Sequence, residues 1–227
     1  MAAMTQYRVT LNSITPLVMH QDNLPFAEAV GEWLTDPANK MQKGKGGDDR
    51  RPAWTWLGYV YHDEQRLTIP ADNLMTCIRE GATKVLTGKG KETFKRASQS
   101  GLMLDDFHWP LTIYDREIPW APLKALLGNL DFSAHMAAAE ALGFELLVKR
   151  AKIQNSKHVR VRPLFRSWSA GGTFTVMDEE ISGLTAETLF RIWCQAGALC
   201  GLGDWRPSSP QSSGKFGKFT TVLEQVN

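Results

Sequence analysis

Two segments of the chain carry apolar residues at helical spacing, and segments with strand character flank both of them. The two apolar stripes consist of Leu74, Ile78, Ala82 and Val85 in the first segment and of Leu189, Ile192, Trp193, Ala196 and Leu199 in the second. Pro70 suits the start of the first helix, and the hydroxyl of Thr185 can cap the second. Because a helix with one apolar stripe must bury it, we expect both helices to pack against a sheet.

The strand signals set the order of the remaining elements. Extended or alternating segments occur at 6–19, 59–69, 102–115, 144–152 and 219–226, with a strand pair at 158–166 and 172–178. This order predicts an α+β protein with a ferredoxin-like or RRM-like βαββαβ plan, in which two helices cover one face of an antiparallel sheet. We expect a single domain over 1–227, with a weak helical segment at 133–142 and a long insertion at 20–58 after the first strand.

The insertion at 20–58 contains a basic tip. Its apolar residues show no sustained periodicity, so the sequence predicts only short helical pieces. Loops of this length inside a compact domain are commonly functional or disordered. The cationic residues of the tip are Lys40, Lys43, Lys45, Arg50 and Arg51. We therefore predict a mobile tip near 40–52 that contacts nucleic acid.

The segment 201–219 is rich in glycine, proline and serine, yet it also carries cations and aromatic rings. Glycine allows close backbone approach, arginine and lysine pair with phosphates, and aromatic rings can stack on bases. The residues with these properties are Gly201, Gly203, Trp205, Arg206, Gly214, Lys215 and Lys218. The segment predicts a nucleic-acid-binding loop, and the alternative is a flexible surface loop anchored to the core by its aromatic residues.

The segment 149–177 contains no acidic residue. Its cations are Lys149, Arg150, Lys152, Lys157, Arg160, Arg162 and Arg166. Arg160 and Arg162 share one face of a strand because side chains alternate along it. These like charges suit a polyanion, although a solvated basic face is the alternative. Trp168 comes two residues after Arg166, and its ring is either a platform on which a base stacks or part of the core.

Two of these segments together resemble a known family. The run Ile69-Pro-Ala-Asp-Asn-Leu-Met-Thr-Cys-Ile-Arg79 is similar to the Ile-Pro-x-x-x-Leu-x-x-x-x-Arg entrance to the first helix of RAMP-superfamily proteins, the backbone subunits that hold guide RNA in CRISPR effector complexes. The glycine-rich loop and the insertion after the first strand also resemble that family. The resemblance implies a ferredoxin-like fold, RNA contact by the loop, and a position of Arg79 near it.

A narrower resemblance is to uncharacterised phage and prophage proteins. They share an Arg-x-Arg-Pro-x-Phe-x-x-Trp run, which occurs here at 160–168. They also share a Gly-Leu-Gly-Asp-x-Arg-Pro loop followed by Gly-x-Phe-Gly-x-Phe, which occurs here within 201–219. This likeness implies a phage or antiviral-defence setting and transfers no activity.

Catalytic and cofactor motifs are lacking in the sequence. It has no phosphate-binding Gly-x-x-x-x-Gly-Lys-Ser/Thr loop and no histidine pattern of a metal site, so we expect no cofactor and no metal. The pairs Asp48-Asp49 and Asp105-Asp106 are expected to be exposed acids. In cleaving members of the RAMP superfamily an aspartate after the first strand cuts RNA; Asp22 is the nearest candidate and His20 its possible partner, but their surroundings lack the glycine-rich context.

We therefore expect a non-catalytic protein that binds the backbone of single-stranded nucleic acid, with RNA favoured over DNA. The net charge of +2 is small, so binding must depend on where the cations lie. The expected partners are single-stranded RNA or DNA and further protein subunits. The subunits would form a homo-oligomer, side by side along the nucleic acid, or a multi-subunit ribonucleoprotein. Without a membrane span or a signal-peptide core, the expected location is the cytoplasm. The alternatives are a RAMP-type metal-independent ribonuclease and a protein-interaction subunit of a phage or defence assembly.

Overall fold

The computed structural model of the protein describes residues 4–42, 47–153, 156–210 and 213–226. The strands are β1 (Thr5–Ser13), β2 (Leu17–Val18), β3 (Thr68–Pro70), β4 (Leu102–Leu104), β5 (His108–Ile113), β6 (Arg116–Glu117), β7 (Glu145–Ile153), β8 (Ser156–Phe165), β9 (Ser169–Val176) and β10 (Phe219–Gln225). The α-helices are α1 (Leu24–Thr35), α2 (Ala71–Ala82), α3 (Lys95–Ser100), α4 (Ala121–Lys124), α5 (Phe132–Ala141), α6 (Glu179–Ser182) and α7 (Ala186–Gln195). Shorter helical turns are the 3-10 helices Pro37–Asn39 and Ala53–Tyr59 and the π-helix Ala196–Cys200.

The chain divides into two compact units, and its antiparallel sheets and several helices make it an α+β protein. Unit 1 consists of Met1–Leu17, Thr68–Glu117 and Arg166–Asn227, and unit 2 consists of Val18–Leu67 and Ile118–Phe165. Unit 2 thus combines the predicted insertion with a second segment from later in the chain. Within the described ranges, every helix is too short or too polar to cross a lipid bilayer.

The sheet of unit 1 has the strand order β10-β1-β9-β5-β3, with β4 beside β9 and β6 beside β5. Its inner strand β1 runs antiparallel to both neighbours. Tyr7, Val9 and Leu11 of β1 are buried, as their alternation predicts. The strand β9 belongs to this sheet, whereas β8 pairs with β7 in unit 2. The predicted pairing of 158–166 with 172–178 is therefore wrong, because each strand has a different partner.

Both predicted helices of unit 1 form, although α2 ends at Ala82 and Val85 of its predicted stripe is buried beyond the helix. Trp193 of α7 is buried and contacts Trp109, Phe174 and Phe219 of the sheet, with ring centroids 5.9 to 6.4 Å apart. Leu199 is 50% exposed, although the sequence predicts it on the core face. It lies in the π-helix, whose wider turn rotates residues away from the α-helical stripe.

Unit 2 is built on a three-stranded sheet with the order β2-β8-β7. The strands β7 and β8 form an antiparallel hairpin in which Lys149 is opposite Arg160. Trp56 is fully buried, and its indole Nε1–H donates to Nδ1 of the buried His135 at 3.1 Å. Burial lowers the pKa of His135, so the imidazole stays neutral and can accept this bond.

Candidate functional site

The buried carboxylate of Asp49 organises one end of unit 2. Asp49 is 5% exposed, and its Oδ1 accepts from Nη1 of Arg160 at 2.9 Å. Its Oδ2 accepts from Nη1 of Arg162 at 3.2 Å, from the backbone N–H of Val161 at 3.2 Å and from the hydroxyl of Tyr59 at 3.3 Å. A buried carboxylate needs such partners because its desolvation is costly.

The backbone around Asp49 is fixed to strand β8. The Asp49 N–H donates to the carbonyl of Val159 at 3.0 Å, and the Val159 N–H donates to the carbonyl of Gly47 at 2.9 Å. Gly47 has a φ of 81°, and a Cβ there would lie 1.8 Å from Nδ1 of His158. Only glycine therefore allows the chain to come this close to β8. These contacts hold Asp49 beside the arginines of that strand.

A cluster of rings and a guanidinium covers the Asp49 network. The guanidinium carbon of Arg162 lies 4.1 Å from the ring centroid of Tyr59, within the range of a cation–π contact. His20 meets Tyr59 edge to face at 4.9 Å, and its Nε2 is 3.4 Å from Nη2 of Arg162. Burial, followed by the Asp49 charge, raises the pKa of Tyr59, so its phenol keeps the proton that it donates.

The neighbouring Asp48 pairs with a different arginine. Its two oxygens accept from Nε and Nη2 of Arg50 at 2.9 and 2.7 Å, which is a bidentate ion pair. The hydrogen bonds from the Arg50 side chain hold the pKa of Asp48 below its usual value. The predicted exposed acidic pair Asp48-Asp49 is thus corrected, since one acid is buried and both carry arginine partners. Among the described residues no group of three His, Cys, Asp or Glu side chains could hold a metal ion.

A cavity of about 330 Å³ lies beside this network and is lined only by residues of unit 2. Phe26, Val30 and Leu34 of α1 line one side. Polar and charged side chains line the rest, among them His20, Asp22, Asp49, Arg51, Tyr59 and Arg160. A cavity with an apolar side and a few convergent polar groups is typical of a small-molecule site. The two weak catalytic candidates, His20 and Asp22, both lie at its lining.

The structure corrects the prediction that both arginines of β8 face a nucleic acid. Arg162 is 6% exposed, and its charge is paired with Asp49. Arg160 is also paired with Asp49, and 27% of its side chain is exposed. The sequence interpretation missed Asp49 because the acid-free segment was considered without the distant acid that folds against it. The balanced run Asp48-Asp-Arg-Arg51 was the available signal, since adjacent opposite charges favour pairing.

Most other predicted cations of unit 2 are exposed. The exposed side chains are those of Lys40, Arg50, Arg51, Lys149 and Arg150. Lys43 and Lys45 lie outside the described residues. Lys152 and Lys157 belong to β7 and β8, and their side chains lie outside the described part of the chain.

The glycine-rich segment of unit 1 folds back on itself. The Gly214 N–H donates to the Arg206 carbonyl, and the Leu202 N–H donates to the Gly217 carbonyl, each at 3.0 Å. A Cβ at Gly214 would lie 1.6 Å from the carbonyl oxygen of Trp205, and one at Gly217 would lie 1.8 Å from that of Leu202. At these two positions, glycine is required for contacts within the loop, whereas the sequence interpretation assigned the close approach to a partner.

The other predicted loop residues also make contacts within unit 1. Gly201 is buried and has a φ of 73°, and Gly203 is half-buried with a φ of 77°. The guanidinium of Arg206 donates to Oγ of Ser208 at 3.1 Å and to the Gly203 carbonyl at 3.3 Å. The Ser208 hydroxyl donates to the carboxylate of Glu80, which ties the loop to α2.

The remaining predicted nucleic-acid-binding residues of unit 1 differ in their solvent exposure. Arg79, Arg166 and Lys215 are exposed, whereas Lys218 and Trp205 are half-buried. Trp168 is 1% exposed, and its Nε1–H donates to the Thr15 carbonyl at 3.0 Å. Its role as a stacking platform is therefore corrected to that of a core residue, because its ring is covered. The cations predicted to bind nucleic acid belong to both units, and their joint binding of one strand stays a prediction.

Comparison of the sequence with protein-family models found no match, and comparison with curated proteins found none either.

Proposed function

We propose that the protein binds single-stranded nucleic acid through its phosphates, with RNA favoured over DNA, and that it does so without catalysis. The observation that carries the proposal is the outward-facing charge on β7, where Lys149 and Arg150 are both exposed. The sequence from 149 to 177 has no acidic residue, and Asp49 pairs with arginines of β8. Exposed cationic side chains on a strand attract a polyanion, whose counterions are released on binding.

The arrangement of unit 1 supports a ferredoxin-like, RAMP-type assignment. With the segments of unit 2 removed, the main elements follow the order β1, α2, β5, β9, α7 and β10. Their strands lie in the order β10-β1-β9-β5, and adjacent strands run antiparallel. This order agrees with a βαββαβ plan. The proposal includes a cytoplasmic phage or CRISPR-like assembly in which subunits lie side by side along the strand.

The salt dependence of RNA binding tests the proposal. Affinity for a labelled single-stranded RNA should fall steeply with salt, since each neutralised phosphate contributes about 0.7 to the logarithmic slope. The double variant Lys149→Ala/Arg150→Ala should reduce that slope by about 1.4. The matched control Lys91→Ala/Lys95→Ala removes two exposed lysines of unit 1 and should change it little. Equal slopes for wild type and the β7 variant, or no binding at low salt, would contradict the proposal.

A second candidate function is metal-independent cleavage of RNA. It is favoured by one observation, which is that His20 and Asp22 line the same cavity as Arg160. The nucleophile in such cleavage is the ribose 2′-hydroxyl, and histidine is the usual general base. Incubation of labelled RNA with wild type, His20→Ala and Asp22→Ala separates the two functions. Products formed by the wild type and lost in both variants would favour cleavage, whereas intact RNA in all three would exclude it.

A further inference from the structure

The cavity of unit 2 has an apolar wall that the fold leaves available. None of the twelve residues of α1, all of them described, is buried, although Phe26, Val30 and Leu34 are apolar and line the cavity. Gly58 makes room for the helix, because a Cβ there would lie 2.3 Å from the ring of Phe26. The helix therefore packs against the rest of unit 2 near Phe26 and presents apolar side chains to the cavity.

The lining of the cavity also contains two guanidinium groups, those of Arg51 and Arg160. Nη1 of Arg160 donates a hydrogen bond to Asp49. Among the described residues, no acceptor forms a hydrogen bond with its Nε or Nη2. Arg51 donates to the Gln42 carbonyl at 3.4 Å, and within the described ranges it forms no ion pair with a carboxylate. Asp48 is paired with Arg50, so Asp22 is the acid of the lining for which the structure describes no cationic partner. The lining thus combines two guanidinium groups, a hydrogen-bond acceptor and an apolar face.

We propose that this cavity binds one nucleotide. Its base would lie along Phe26, Val30 and Leu34, and its phosphate would meet Arg51 and Arg160. The volume of about 330 Å³ is near the lower limit of roughly 300 Å³ for small-molecule pockets, which suits one nucleotide and not a stack of several. Arginine pairs bidentately with phosphate, and Asp22 can accept a bond from a ribose hydroxyl or an exocyclic amino group.

The ligand chemistry favours a nucleotide over simpler molecules. Inorganic phosphate would leave the apolar wall of α1 unused, and an apolar molecule would leave Arg51 and the remaining N–H groups of Arg160 unused. The nucleotide can be free or can be one residue of a single strand, and both present the same base and phosphate. The inference does not depend on the proposed backbone binding, because a free nucleotide would occupy the cavity without any contact to β7.

Titration calorimetry with adenosine monophosphate and uridine monophosphate tests the site on the full chain. Ala27→Phe fills the cavity from α1, since Ala27 is exposed and lines it, and should abolish binding of both probes. Ala29→Phe is the matched control, because Ala29 is an exposed alanine of the same helix outside the lining, and it should bind as the wild type does. Arg51→Ala should weaken adenosine monophosphate about tenfold or more and leave adenosine unchanged.

The outcomes separate this site from the proposed backbone binding and identify the source of the nucleotide. If the wild type binds the monophosphates and Ala27→Phe does not, the inference is supported and the natural ligand is a free nucleotide. Binding only of a short single-stranded oligonucleotide, again removed by Ala27→Phe, supports it with the strand as the source. The inference is overturned if neither probe type binds, if Ala27→Phe binds normally, or if inorganic phosphate binds as tightly as the monophosphates. The salt slope change caused by Lys149→Ala/Arg150→Ala bears on the backbone proposal alone.

Discussion

The two strands of the hairpin in unit 2 both carry cationic side chains, but they use them differently. On β8, Arg160 and Arg162 donate to the buried Asp49, which lies more than a hundred residues earlier in the chain. On β7, Lys149 and Arg150 are exposed. The two arginines of β8 therefore make ion pairs within the fold, whereas Lys149 and Arg150 of β7 are exposed to solvent.

This difference shows that a count of charges along the sequence overstates the charge that is available for binding. The segment 149–177 contains no acid, yet the carboxylate of Asp49, from a distant segment, pairs with both arginines of β8. Removal of one partner from a buried ion pair leaves an uncompensated charge and is strongly destabilising, whereas an exposed cation contributes little to stability. Substitutions on β8 should therefore lower the free energy of unfolding more than substitutions on β7, whereas substitutions on β7 should weaken binding more.

Removal of Asp49 should have the largest effect. Asp49→Ala leaves the buried guanidinium of Arg162 without its carboxylate, and breaking a buried pair in this way costs about 3–5 kcal/mol. Urea denaturation followed by tryptophan fluorescence measures the free energy of unfolding. Asp22→Ala is the control, since Asp22 is exposed and its loss should change stability by no more than about 0.5 kcal/mol. Similar values for both variants would show that the Asp49 network is incidental to the fold.

Local signals predicted much of the fold of unit 1. The buried alternation of Tyr7, Val9 and Leu11 on β1 follows from a period of two, and the stripe of α2 follows from a helical period. Thr185 caps α7, as its hydroxyl predicts, by accepting from the backbone N–H of Thr188. These features depend on residues close together in the chain, so their pattern is visible before folding.

The candidate site depended on contacts that no local pattern contains. Asp49 is buried because the chain at 47–49 pairs with β8, and that pairing joins segments far apart in the sequence. Its neighbour Asp48 has the same side chain and stays bonded to an exposed arginine. Adjacent residues of one type thus acquire different environments from tertiary structure alone. The cavity could not be predicted for the same reason, since α1, Tyr59 and Arg160 come together only in the folded unit.

The glycine-rich loop offers a second test of whether a segment serves contacts within the fold or contacts with a partner. Gly217→Ala places a methyl group against the Leu202 carbonyl at a residue whose φ is 70°. Backbone strain and overpacking together should destabilise the protein by about 2–4 kcal/mol. Gly31→Ala is the matched control, because nothing lies within 4 Å of its Cβ, and as a helical substitution it should stabilise by up to about 1 kcal/mol. A tolerated Gly217→Ala would mean that the loop does not depend on its internal contacts.

A pair of substitutions on the hairpin compares its two strands directly. Arg162→Met removes a buried cation that bonds Asp49 and should cost about 1–3 kcal/mol. Lys149→Met removes an exposed cation from the opposite strand and should cost less than about 0.5 kcal/mol. RNA binding should show the reverse order, because Lys149 faces solvent and Arg162 does not. If Lys149→Met proved the more destabilising, the two strands would not differ as the structure indicates.

The smallest effect should come from Asp48, the half-buried neighbour of Asp49. The side-chain hydrogen bonds from Arg50 lower the pKa of Asp48 below its ordinary value of 3.8. The folded state therefore favours the carboxylate, and this contribution is present above pH 3.8 and is lost as the pH falls through the lowered pKa. Because Arg50 is well exposed, the contribution should not exceed about 1 kcal/mol. Asp48→Asn should make the free energy of unfolding depend less on pH below 3.8, and curves that stay parallel to those of the wild type would show that the Asp48–Arg50 pair does not stabilise the fold.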